Sequence, residues 1–185
     1  MPNLSQNPRV YRDIDNYNMF VPFDSLPDHS RLWIYQSSKK FSSSELATIS
    51  ESLTSFTSRW RAHGEPLNAS FKIVYDQFVL LAVDEEVHAA SGCSIDDSTR
   101  VLKEISSSIG IDLFDRSRAA FMVDSEVITI PISALKKGYL EGIWDRQSLF
   151  VNTLISKRGD VRNGLLVPAG LTWLNRYLPI ENVAG

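Results

Sequence analysis

The chain has 185 residues, 43% hydrophobic and 22% charged, with 19 basic against 22 acidic side chains for a net charge of -3. A chain of this size buries about 70% of its unfolded surface in one core without staples, and its near balance of charge excludes a dominant phosphate-tracking face. Its one cysteine, Cys93, excludes an internal disulfide, and His29, His63 and His88 show no zinc-ligand spacing. No apolar run approaches the 18 or so residues of a membrane span, and the N-terminus lacks the apolar block of a signal peptide. These features together predict a soluble protein of a reducing cytoplasm.

Residues 1–18 carry four asparagines and two prolines with few large apolar groups and read as a loosely ordered leader. The abrupt change at Met19-Phe20-Val21-Pro22-Phe23 suggests Met19 as the natural start and 19–185 as a single globular α+β domain. Asp24-Ser25-Leu26-Pro27-Asp28 is turn chemistry and leads into a short strand, Arg31 to Gln36, rich in aromatic and branched residues. Ser42 and Glu45 then form a capping box, and Leu46, Ile49, Leu53, Phe56 and Trp60 recur at steps of three and four, predicting one helix with a continuous apolar stripe. Arg59, Arg61 and His63 suit the C-terminal end of its dipole, and Gly64 is placed to cap it. His63 reads as a solvated residue at that end or, with partners, as a base.

A hairpin and a second helix between Phe71 and Ile109 form the centre of the expected fold. Phe71, Ile73 and Tyr75 alternate with Lys72, Val74 and Asp76, a half-exposed strand; after a turn at Asp76-Gln77, Phe78 to Val83 is apolar without interruption, as in a strand covered on both faces. Asp84-Glu85-Glu86 closes that strand. Consecutive residues on extended chain point to opposite sides, so at most two of these carboxylates can share a divalent ion, and a solvated charge run is the plainer reading. No metal or other cofactor is expected.

The small-residue loop Ala89 to Ser94 carries the catalytic candidates Cys93, Ser94 and His88. Ser94 reads as the cap of the second helix with Asp97 closing a capping box, and Leu102, Ile105 and Ile109 form its buried face before Gly110 ends it. A thiol ahead of a helix N-terminus can become a nucleophile. Asp96 and Asp97, in the expected first turn, oppose a second anion there, and Arg100 stands one position beyond a phosphatase-type cysteine–arginine spacing. The plainer reading makes Cys93 a buried or partly buried inert residue. There is no Gly-x-x-x-x-Gly-Lys-Ser/Thr, no Gly-x-Gly-x-x-Gly and no Gly-x-Ser-x-Gly, so phosphate-loop ATPases, dinucleotide-binding folds and nucleophile-elbow hydrolases are excluded.

The stretch Ala89 to Asp97, with Val21-Pro22-Phe23-Asp24, Trp33-Ile34-Tyr35-Gln36, His63-Gly64 and Leu113-Phe114-Asp115-Arg116, resembles a group of uncharacterised bacterial proteins, some labelled "ABC transporter ATPase". The resemblance runs from about Met19 to Trp173-Leu174-Asn175-Arg176-Tyr177. It implies a start near Met19 and carries no activity, cofactor or site residue.

Beyond the second helix, Ala119 to Val123 and Val127 to Ile132 predict a second hairpin about Asp124-Ser125-Glu126, with Pro131 at an edge or strand end. Ser133 to Glu141 reads as a short helix, Ser156 to Asp160 as a basic turn, and Leu171 to Leu178 as a final short helix stopped by Pro179. Trp144, Trp173 and Tyr177 are expected to close the core. The fold class is thus α+β, a mainly antiparallel sheet with helices on one face. It is compatible with a ferredoxin-like strand-helix-hairpin-helix-strand order, with an additional strand and a C-terminal extension. With no catalytic set assembled, the expected function is noncatalytic binding of a protein partner or small molecule, or homodimer formation; the alternative is a small enzyme using Cys93 or Ser94 as nucleophile with His88 or His63 as base.

Overall fold

The computed structural model describes residues 21–86 and 88–179, so the leader at 1–18 and the start at Met19 lie outside the described residues. These fall into two compact units, one of residues 21–115 with 153–162 and one of 116–152 with 163–179, both within the span read as one domain. The architecture is α+β with antiparallel sheets, as expected.

In the first unit β1 (Arg31–Gln36) precedes helix α1 (Ser43–Thr57), a short hairpin of β2 (Arg61–Ala62) and β3 (Glu65–Pro66), strands β4 (Asn68–Val74) and β5 (Phe78–Asp84), and helix α2 (Gly92–Ile109). The sheet order is β1-β5-β4, antiparallel throughout, with Arg31 opposite Val83 and Phe71 opposite Leu81. Strand β5 is central, and Phe78 to Val83 are all fully buried, in keeping with the unbroken apolar run. Alternation sends Val79, Leu81 and Val83 to one face, where they join Ile49, Leu53 and Phe56 of α1 and Leu102 and Ile105 of α2 in one core. Both helices therefore lie on one side of the sheet.

The strand-helix-hairpin-helix order is met, but the strand expected after α2 does not join this sheet. In its place two short pieces run beside β1: Gln36 bridges Phe114 in parallel, and Arg31 bridges Lys157 antiparallel. Leu32 N donates to Ser156 O at 2.8 Å and Arg158 N to Ser30 O at 2.9 Å, so the expected basic turn at 156–160 serves as an edge. Strand β4 starts at Asn68 and is not half-exposed, since Ser70 and Val74 on its second face are buried. The turn after it centres on Tyr75 and Asp76, with φ of 55° and 50°, one residue earlier than the pattern suggested.

Helix α1 has the predicted capping box: Ser42 Oγ accepts from Glu45 N at 3.3 Å and Glu45 Oε2 accepts from Ser42 N at 2.6 Å. The latter bond, more than any other contact, holds the Glu45 carboxyl below its ordinary pKa. The helix ends at Thr57, not near Gly64. Thr57 Oγ1 donates back to Leu53 O at 2.8 Å, and β2 and β3 then capture the chain, with His63 and Gly64 at φ of 53° and 88° forming their turn. Trp60 lies past the helix yet remains in the core, 4.8 Å from Phe56 between ring centroids. Gly110 ends α2 in the left-handed conformation (φ 66°), the cap its position predicted.

The second unit holds β6 (Arg118–Val123), β7 (Glu126–Pro131), α3 (Leu135–Leu140), β8 (Leu149–Val151) and β9 (Leu166–Pro168), in the order β7-β6-β8-β9. The hairpin turns on Asp124 and Ser125, both at positive φ, and Pro131 ends an edge strand as expected. Strands β8 and β9 have no clear sequence signature, being three residues each. The helix expected from Ser133 begins at Leu135 after a 3₁₀ turn, and the last expected helix is a pair of 3₁₀ turns, Ala169–Leu171 and Trp173–Tyr177. Trp144 is buried at the centre of this unit with Phe121, Phe150 and Leu174, and Trp173 and Tyr177 pack against it. Among the described residues no helix is long and apolar enough to cross a membrane.

Candidate functional site

The end of β5 and the loop into α2 bring together the residues the sequence singled out, though in different roles. Helix α2 is capped by Ser91, not Ser94: Ser91 Oγ accepts from Ser94 N at 3.2 Å, three residues before the expected cap. Ser94 is buried inside the first turn, where its hydroxyl donates to Ser91 O at 2.8 Å and its carbonyl accepts the Trp60 indole N–H at 2.9 Å. Asp96 and Asp97 accordingly lie beyond the first turn, and Asp97 pairs with Arg100, which also pairs with Glu104.

Cys93 is exposed as the second residue of α2, correcting the expectation of a buried or partly buried thiol. Ser94 and Ser98 lie at helical steps of three and four on the buried face with Leu102 and Ile105, and Cys93 points away from it. His88 is half-buried, and among the described residues no hydrogen bond joins it to Cys93 or Ser94. His63 is exposed in the β2–β3 turn. With no base in place, Cys93 is expected to react with iodoacetamide no faster than an ordinary free thiol at neutral pH. A rate tenfold or more above a model thiol, lost on His88→Ala, would restore the thiol-enzyme reading.

The carboxylate run has a definite arrangement. Glu85 turns toward the loop, where its Oε1 accepts from Ala90 N at 3.0 Å and lies 3.6 Å from the Arg31 guanidinium, itself over the Trp33 ring. Asp84 and Glu86 turn the other way and meet His29: Nε2 of His29 lies 3.3 Å from Asp84 Oδ1 and 3.7 Å from Glu86 Oε2. Asp84 Oδ1 also accepts from Glu86 N at 3.1 Å, and its Oδ2 accepts from Asn68 Nδ2 at 3.4 Å. One ligand atom from each of His29, Asp84 and Glu86 lies within 4.8 Å of the others.

Tertiary contacts hold His29 there. The Asp28 carboxylate pairs with Arg158, and its carbonyl accepts from Gly159 N at 2.9 Å. A Cβ on Gly159 would come 2.7 Å from Asp28 Cβ and 3.0 Å from Asp28 O, so only glycine allows this approach. The sequence limited the run to at most two carboxylates on one side and read it as solvated; Asp84 and Glu86 are the two that meet His29. His29 was not, because it arrives through the β1–β5 register across 55 residues of sequence. Comparisons of the chain with protein-family models, with curated proteins and with solved structures found no significant match.

Proposed function

We propose that this chain is a noncatalytic interaction protein that associates with a second copy of itself through the hairpin-end row of the β7-β6-β8-β9 sheet, beside the buried Ala120 and Val151 of the same face. A single observation carries the reading: Val127, Met122, Leu149 and Pro168 stand directly opposite one another across the four strands. Opposed residues project to the same face, so these four form an apolar row on the side away from Phe121, Phe150 and the core of this unit. None is buried, and Leu149 is 40% exposed. The row contains no charge, so a twofold copy can meet it without like-charge repulsion. Exposed Asp124 and Glu126 lie at the hairpin end and exposed Arg116 beyond the other end of β6. Antiparallel alignment of two copies sets acid against base.

The accompanying proposal on setting is a bacterial cytoplasmic protein of the group described above, supported by the single unpaired cysteine and by the quoted motifs. Light scattering on the full chain is expected to give about twice the 20.8 kDa monomer mass. Leu149→Asp, at a position open enough to accept charge, is expected to give a folded monomer. A wild-type monomer at high micromolar concentration would overturn the reading, as would a dimer that Leu149→Asp leaves intact.

A further inference from the structure

We propose that His29, Asp84 and Glu86 bind a divalent first-row transition-metal ion, zinc foremost, at the carboxyl end of β5. The distances from His29 Nε2 to the two carboxylates, 3.3 and 3.7 Å, match the edge of a tetrahedral zinc shell, about 3.3 Å for bonds of about 2.0–2.1 Å. Two carboxylates alone would suit calcium or magnesium; the imidazole nitrogen turns the preference toward zinc and its neighbours. Among the described residues no lysine or arginine pairs with Asp84 or Glu86, because Arg31 is taken by Glu85. Asn68 orients the Asp84 carboxylate from behind, as outer-shell donors do for metal ligands.

The backbone beside the cluster is tightly enclosed. Ser30 directly follows His29 in the chain, just before β1. Its side chain is fully buried and its hydroxyl has no hydrogen-bond partner among the described residues. The Ser70 hydroxyl on β4 is buried without a partner in the same way, so the assignment of the ion rests on the three converging ligand atoms. Exposed Glu86 and His29 leave the remaining coordination positions open to solvent.

Titration calorimetry with zinc chloride, on the full chain after chelator treatment, is expected to show one site. His29→Ala and Glu86→Gln, both at exposed positions, are each expected to weaken it by about tenfold or more, the scale already reached by outer-shell changes; His63→Ala is expected to leave it unchanged. Circular dichroism checks that each variant is folded. Absence of zinc binding by the wild type would overturn the site, and so would binding that neither His29→Ala nor Glu86→Gln alters, which would mark the ion as adventitious.

Discussion

Leu81→Ala is expected to destabilise the protein by about 3 kcal/mol, near the middle of the range for emptying a leucine site in a closed core. Leu81 is fully buried on β5, paired with Trp33 on one side and Phe71 on the other, and it faces the core shared with α1 and α2. With β5 central in its sheet and a helix layer above, little can move in to fill the space, so the lost transfer energy and the cavity term add. Urea unfolding followed by far-UV circular dichroism would show a lower midpoint at unchanged slope. Leu154→Ala removes the same atoms from a side chain 69% exposed and is expected to change stability by no more than about 0.5 kcal/mol. Equal effects of the two variants would contradict the central place given to β5.

The second large effect is expected in the other unit. Trp144 is 1% exposed, stacks on Phe121 at 5.5 Å, meets Tyr139 edge-on at 5.6 Å, and donates its indole N–H to Leu135 O at 2.8 Å. Trp144→Ala is expected to cost about 3–5 kcal/mol, combining a large cavity with an unsatisfied carbonyl. Trp144→Phe retains most of the ring and loses the hydrogen bond, so its expected cost is smaller by about half. Thermal unfolding monitored by near-UV circular dichroism separates the two. A tolerated Trp144→Ala would show that the core of this unit is organised elsewhere.

Local signals were reliable where one stretch of chain decides the outcome. The Ser42–Glu45 box, the Arg31–Gln36 strand, the buried run Phe78 to Val83, the Asp124-Ser125 turn and the Gly110 cap all depend on residues within a few positions of each other. They failed where a distant group competed. Ser91 took the place of Ser94 as the cap of α2, and Ser94 instead lies in the first turn with its carbonyl held by Trp60, 34 residues away. Cys93 is exposed because it lies about half a turn around α2 from Leu102 of the buried face. Helix α1 stopped early because the β2–β3 turn took His63 and Gly64, which as a pair suit a hairpin as well as a helix end.

The sequence by itself determined the α+β class, the buried central strand and the two long helices, all through periodicity and short-range capping. Only the tertiary structure decided which sheet the second hairpin joins, which serine caps α2 and which histidine meets the carboxylates. The physical reason is common to all three. Strand register and chain return bring together groups 30 to more than 100 residues apart, and no local preference encodes which of several similar residues will be waiting there.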